Sequence, residues 1–408
     1  MKMHLSALIE RKIAWREFAP SFIVVFNSLV WYILTSAVFN SAINSLSLPF
    51  HEMLLIFSLQ YAGVACSAVI GAALFSRARK TYLMTWIAAG ALTTALSATI
   101  VHNSTPVNLG LSLLLGISIG AGLPSSLALF ADSTFVENRG TYGGITYAAV
   151  GFTALAIGLP IDILNNAVVA FAILAVWRAC GLGAFFLWRG RIENPPERKQ
   201  VAYSSILRRR DVALYLIPWI MFSLVNFAEA PILKGVLGGF YDFAELVEVA
   251  LSGIFVLLGG FLADLTGRKR VVITGFIVLG IEYAMLSLLS GIPISWYAYT
   301  VLDSFAWGMF ASVFFMTIWG DLAENNQKDK YYAVGGLPYL FAGLLPIVIE
   351  RFVGVNQAGT AFSLASFFLF VAVLPLMYAP ETLPEKRIRE RELKEYVERA
   401  KKTKQKYA

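Results

Sequence analysis

Polar residues in this chain are confined to short intervals between long apolar runs. Twelve runs stand out, at about 20–43, 53–75, 82–101, 108–131, 143–164, 167–188, 212–232, 243–264, 271–290, 295–320, 333–353 and 359–379. A helix needs roughly 20 apolar residues to cross the hydrocarbon core of a bilayer. The pattern therefore predicts an all-α membrane protein with twelve transmembrane helices. Connections are short except at 189–211, where RGRIENPPERKQVAYSSILRRRD forms the single polar linker. It separates a six-helix bundle over 20–188 from a second over 212–380. An N-terminal segment, 1–19, and a polar tail, 381–408, flank them.

The two bundles are copies of one another. Gly71 to Lys80 reads GAALFSRARK, and Gly260 to Lys269, 189 residues on, reads GFLADLTGRK. The same offset carries Asp132, the acid that closes span four, onto Asp321. Pro196-Glu197-Arg198-Lys199 after span six is echoed by Pro384-Glu385-Lys386-Arg387 after span twelve. A duplicated bundle of hydrophobic helices is the sequence mark of a secondary transporter.

Charge orients the bundle. With the N-terminus placed inside, the inside segments hold 30 of the 33 Lys and Arg residues. Outside loops hold only Lys234 and Arg351, and Arg178 lies within span six. This asymmetry requires an even number of spans and puts both termini in the cytoplasm, with the cell membrane as the expected location. The net charge of +7 is thus directed at anionic lipid headgroups rather than nucleic acid. Composition agrees: 14% of residues are charged, against about 25% in soluble domains. Lys2, Arg11, Lys12 and Arg16 interleave with Leu5, Leu8, Ile9, Ile13 and Phe18, the pattern of a short amphipathic helix on the membrane surface, not of a signal peptide. In the tail, Leu393, Tyr396, Val397 and Ala400 make a helical stripe suited to headgroups or inside loops; a solvated helix is the alternative. Cys66 and Cys180 lie in apolar runs without ligand-type neighbours and are expected to be buried small hydrophobes.

The repeated turn has its own chemistry. A residue as small as Gly260 lets two helices approach closely, and Gly267 permits a sharp turn with positive φ. Asp264 sits at a helix C-terminus, where the macrodipole disfavours an acid. Arg268 or Lys269 is within reach to compensate. Asp132 and Asp321 are placed alike, and the expected pairs are Asp132 with Arg77 or Arg79, and Asp321 with Arg268.

Two six-span halves, a basic linker and this turn resemble the major facilitator superfamily over about 20–380. Its signature after spans two and eight is matched in the second half by Gly260, Asp264, Gly267, Arg268 and Lys269, with Leu265 in the first basic slot. In the first half Gly71, Arg79 and Lys80 match, whereas Phe75, Ser76 and Ala78 replace the acid, basic and glycine positions. Glu137-Asn138-Arg139-Gly140 is similar to an inside loop of many members. Pro380-Glu381-Thr382 resembles the sugar-porter branch, although Leu383 and Pro384 depart from it. Span four carries no charge and span five has Gly158-Leu159-Pro160, so the drug-antiporter signature is weak. The resemblance implies that the acid–base pairs, with Arg139, latch the inside face; static ion pairs are the alternative. It also implies that spans one, four, seven and ten line a central cavity.

Ionisable residues in hydrocarbon cost at least about 2.5–3.5 kcal/mol, so each asks for a reason. Span seven carries Trp219, Ser223, Asn226 and Glu229 at helical spacing, and span ten carries Thr300, Asp303 and Trp307. Under the resemblance, Glu229 and Asp303 are the carboxyls expected to meet protons or substrate, with Asn226 and Trp307 beside them. A carboxyl withdrawn from water exchanges protons nearer neutral pH. The alternative is that both simply face water at the outer half of their spans. Asn27 and Trp31 in span one, the neighbouring stripe Ser28, Tyr32, Ser36 and Asn40, and Gln60 in span two suit a small polar organic solute or serve as helix–helix glue. Arg178 and Glu282 lie mid-membrane in spans six and nine; a structural pairing and a proton or anion site both stay open.

No GxxxxGK[ST], HExxH or His/Cys metal cluster occurs, which disfavours ATP drive and an intramembrane enzyme and implies no cofactor or metal. The sequence thus predicts a monomeric, proton-coupled secondary transporter of a small organic solute, working by alternating access as a symporter. Proton-driven efflux is the alternative, and a non-transporting receptor or scaffold on the same fold is the alternative of another class.

Overall fold

A computed structural model describes residues 13, 15–74, 78–100, 104–188, 201–323, 327–352 and 357–383. The expectations for the N-terminal segment up to Lys12, for Arg77, for linker residues 189–200 and for the tail beyond Leu383 lie outside these. Among the described residues there is no strand.

Spans one to six run over Trp15–Ser45, Phe50–Leu74, Arg79–Ile100, Thr105–Asp132, Arg139–Leu164 and Ala167–Trp188. Spans seven to twelve run over Arg210–Leu237, Phe240–Thr266, Arg268–Leu289, Pro293–Leu322, Lys328–Phe352 and Ala358–Tyr378. Among the described residues eleven of these are long and apolar enough to cross a membrane. The twelfth, Arg79–Ile100, has the length, at 22 residues, but is rich in Thr and Ala. The outer surface is greasy: Ile163, Leu187 and Leu288 are more than four-fifths exposed. Such residues are stable there only against lipid tails. Cys66 and Cys180 are exposed rather than buried, because on a lipid-facing helix an apolar thiol needs no protein core.

Three spans are interrupted, each for a local reason. Span four stops at Gly120 and restarts at Leu123, with Pro124 at the new helix start. Proline supplies no backbone N–H to continue the ladder. Span eleven breaks likewise at Gly343 and Leu344, just before Pro346. Span ten widens into a single π turn over Ala311–Phe315 before its last helical turn, Ile318–Leu322.

Glycines set the closest approaches. A Cβ added at Gly260 would overlap the Gly140 carbonyl oxygen, and one at Gly144 would come within 2.7 Å of the Val256 carbonyl oxygen. Spans five and eight, one from each half, therefore cross backbone to backbone. Gly267 has φ +103°, a left-handed conformation that a side chain would strain.

Candidate functional site

The end of the bundle that carries the repeated turns is closed by ion pairs between the halves. Arg79, 1% exposed, reaches Asp132 at 2.5 Å in its own half and Asp329 at 2.5 Å in the other. Lys328 returns the bridge to Asp132 at 2.6 Å. Asp321 joins Arg139 of the first half to Arg268 of the second, the latter at 3.0 Å. Arg268 also bonds Asp264 at 2.8 Å.

Asp264 resolves its helix-end problem across the interface. Its carboxylate accepts hydrogen bonds from the Gly140 N–H (2.9 Å) and the Thr141 N–H (2.6 Å) and hydroxyl (2.7 Å). Those amides open span five, where the macrodipole favours an anion. Glu381 does the same for span nine, accepting from the Arg268 and Lys269 amides at 2.9 and 3.1 Å. Lys269 then extends its ammonium to the Met377 carbonyl. Gly71 presses on the Ala121 carbonyl between spans two and four. Lys80 is half-buried and outside the ion-pair network among the described residues.

The described end of the linker straps this closure. The Tyr203 hydroxyl donates to the Val69 carbonyl of span two (2.7 Å), and Lys330 of span eleven donates to the Val201 carbonyl (2.8 Å). Burial and then nearby Asp329 hold the Tyr203 phenol above its ordinary range, so it remains a donor at physiological pH.

Above the closure lies a cavity of about 470 Å³ between the halves. Leu29, Tyr32, Pro124, Asn226, Asp303 and Trp307 show that spans one, four, seven and ten all reach it. Spans eight and eleven contribute as well, through Glu245, Glu248 and Tyr339. Rings line one wall in sequence: Tyr147 stacks on Phe315 at 5.7 Å, Phe315 meets Tyr339 at 5.1 Å, and Tyr339 meets Trp307 at 6.0 Å. Asp303 is 5% exposed and makes no hydrogen bond among the described residues. Glu248 has an unpartnered buried oxygen, with the Tyr299 hydroxyl beside it. Glu282 is wholly buried just behind, both oxygens unpartnered, within electrostatic reach of Asp303 and Glu248. The described lining contains no Lys, Arg or His.

Four expected cavity residues lie elsewhere. Glu229 lines a separate lateral recess of about 970 Å³ between spans seven, eleven and twelve, among Met221, Leu224, Thr360 and Leu364. Its stripe with Trp219 and Asn226 drifts by roughly 80° over ten residues, because three-residue steps fall short of a helical turn. Asn27 and Trp31 face the interior of the first half. Arg178 is clasped there between the Trp31 and Trp86 rings, 4.4 Å from each centroid, and donates to the Asn27 side-chain amide oxygen (3.0 Å) and the Ser28 hydroxyl (2.6 Å). Among the described residues it pairs with no acid, so the expected ionic partner is replaced by two aromatic faces, which attract a desolvated cation by about 2 kcal/mol. Gln60 is buried at the span two–four crossing, where its carbonyl meets Gly116.

Glu248, with Glu245, was missed. FYDFAELVEVAL opens span eight, and acids near a span's outer end read as solvated. Their spacing of three, which puts both on one helical face, was the available signal.

Two repeated six-helix halves, meeting over a cavity and locked together at one end, have the fold of secondary transporters. The chain belongs to the Major Facilitator Superfamily, which it matches over residues 21–247. No curated protein matches it in sequence. Similar solved structures include the human organic anion transporter TETRAN, at 15% identity and TM-score 0.70, covering 88% of this chain and 99% of that one. The E. coli fucose:proton symporter FucP matches at 13% identity and TM-score 0.71, covering 89% and 98%. The proton:xylose symporter XylE, solved with a bromodeoxyglucose, matches at 14% and 0.71, covering 91% and 97%. At these identities the likeness concerns the fold.

Proposed function

We propose that this chain is a proton-coupled transporter of a small organic solute, with Asp303 and Glu248 as its proton-carrying groups. The observation that carries the reading is Asp303: a buried carboxyl without a hydrogen-bond partner among the described residues, lining the cavity between the halves. A carboxyl so placed needs a counter-charge, and a proton supplies one without further ligands. Glu229, walled off in the lateral recess, yields that role to these two. In the alternating-access cycle the ion-pair end is the cytoplasmic gate, closed in this conformation. A proton moving down 100 mV provides about 2.3 kcal/mol, enough for roughly fiftyfold accumulation of a neutral solute by symport. The fold's likeness to two sugar:proton symporters supports that coupling. Proton exchange is the second reading, favoured by a described lining that holds carboxyls and no base.

The test is a screen of proteoliposomes for solute movement driven by an imposed pH gradient and collapsed by a protonophore. Asp303→Asn is expected to abolish gradient-driven movement while preserving solute counterflow. Undiminished gradient-driven movement in Asp303→Asn would remove this carboxyl from the coupling step.

A further inference from the structure

We infer that the substrate of the central cavity is an organic cation, an ammonium or amine group carried on an apolar body. The inference rests on the reading of this cavity as the transport site and specifies what it holds. Three carboxyls, Glu245, Glu248 and Asp303, line the cavity with no base among the described lining residues. An anionic solute would find nothing in the described lining to neutralise it; a sugar could bond the seven Tyr hydroxyls, Asn226, Ser252 and Ser304, but would bring no charge to offset the three carboxyls. A metal ion is not the natural occupant, since no group of three ligating side chains with metal-binding geometry occurs among the described residues.

The second, independent feature is the ring wall. Tyr147, Phe315, Tyr339 and Trp307 are in continuous contact across the two halves. Aromatic faces attract cations, most strongly away from water. A cation seated on that wall would face Asp303, which has no hydrogen-bond partner to give up among the described residues. Around Asp303 the titratable groups are Glu245 and Glu248 of span eight, Glu282 and Tyr283 of span nine and Tyr299 of span ten; Glu229 reaches only Tyr283. No basic residue enters this set among the described residues, so protons and the organic cation compete for the same oxygens, which fits proton exchange rather than symport. Cation binding releases protons, and acid weakens it.

The experiment uses the purified full-length protein and four probes of one size class: benzyltrimethylammonium, benzyl alcohol, benzoate and xylose. Benzyltrimethylammonium should raise the melting temperature saturably and release protons into weak buffer. Its affinity should fall by about tenfold or more on Asp303→Asn and on acidification from about pH 8 to about pH 5. The acidification arm needs no variant and stands if Asp303→Asn does not fold. Stabilisation by benzoate, benzyl alcohol or xylose but not by the ammonium overturns the inference, as does cation binding indifferent to pH. Cation binding without gradient-driven movement would refute the proton-coupled reading and keep the cation site. Gradient-driven movement of a neutral solute, unaffected by the ammonium, would do the reverse.

Discussion

Asp321→Asn is the most direct probe of the closed end. Asp321 has no exposed side-chain surface, and its partners Arg139 and Arg268 are 2% exposed or less. Removing one member of a buried ion pair costs about 3–5 kcal/mol, because the remaining charge is left uncompensated out of water. Asp321 divides its charge between two arginines, and only Arg139 lies across the interface. The share that favours closure over opening is therefore about 2 kcal/mol, or roughly thirtyfold in the closed-to-open ratio. The assay is a spin-label distance between Ala78 and Arg270, exposed positions at this end, one in each half. The exposed Cys66 and Cys180 are first replaced by serine. The variant should gain a longer-distance population that the parent lacks, and Lys80→Gln, outside the network, should not. An unchanged distance distribution in Asp321→Asn would refute the assignment of this pair as a latch.

Gly260→Leu should lower the melting temperature and impair transport, since overpacking costs about 1–3 kcal/mol and here the obstruction is the Gly140 backbone; a thermal melt checks it. Arg178→Lys keeps the charge but loses the flat stack between two indoles, with an expected loss of about 1–2 kcal/mol. Melting curves of this variant against Arg178→Gln separate stacking from charge. Glu381→Ala should expose the start of span nine, speeding hydrogen exchange at the Arg268 and Lys269 amides, with about 1 kcal/mol lost.

The fold was largely legible because membrane spans advertise themselves by length and apolar content; the interruptions of spans four and eleven were not read, although Gly and Pro mark both. The π turn in span ten was not: ASVFF carries no breaker, and its widening is set by packing against neighbouring spans. At the closed end, the 189-residue offset singled out Asp132 and Asp321, but their cross-half contacts to Lys328 and Arg139 depend on how two bundles dock, which spacing within one helix does not encode. The cavity was legible for Asp303, Asn226 and Trp307. Glu229 was misplaced because a stripe of three-residue steps turns gradually off its face. Asn27 and Trp31 were misplaced because polar groups in span one serve a cation on span six as readily as a solute.

The anchoring of Glu381 reaches beyond stability. Thr382, its neighbour, lies 3.3 Å from the same Asp321 oxygen that Arg268 engages. The root of the C-terminal tail is thus tied to the carboxylate whose other oxygen holds Arg139 across the interface, the contact that must break when the halves part. Tension or a docking event on the residues that follow would tug on that carboxylate, giving the tail mechanical leverage over how fast the protein turns over.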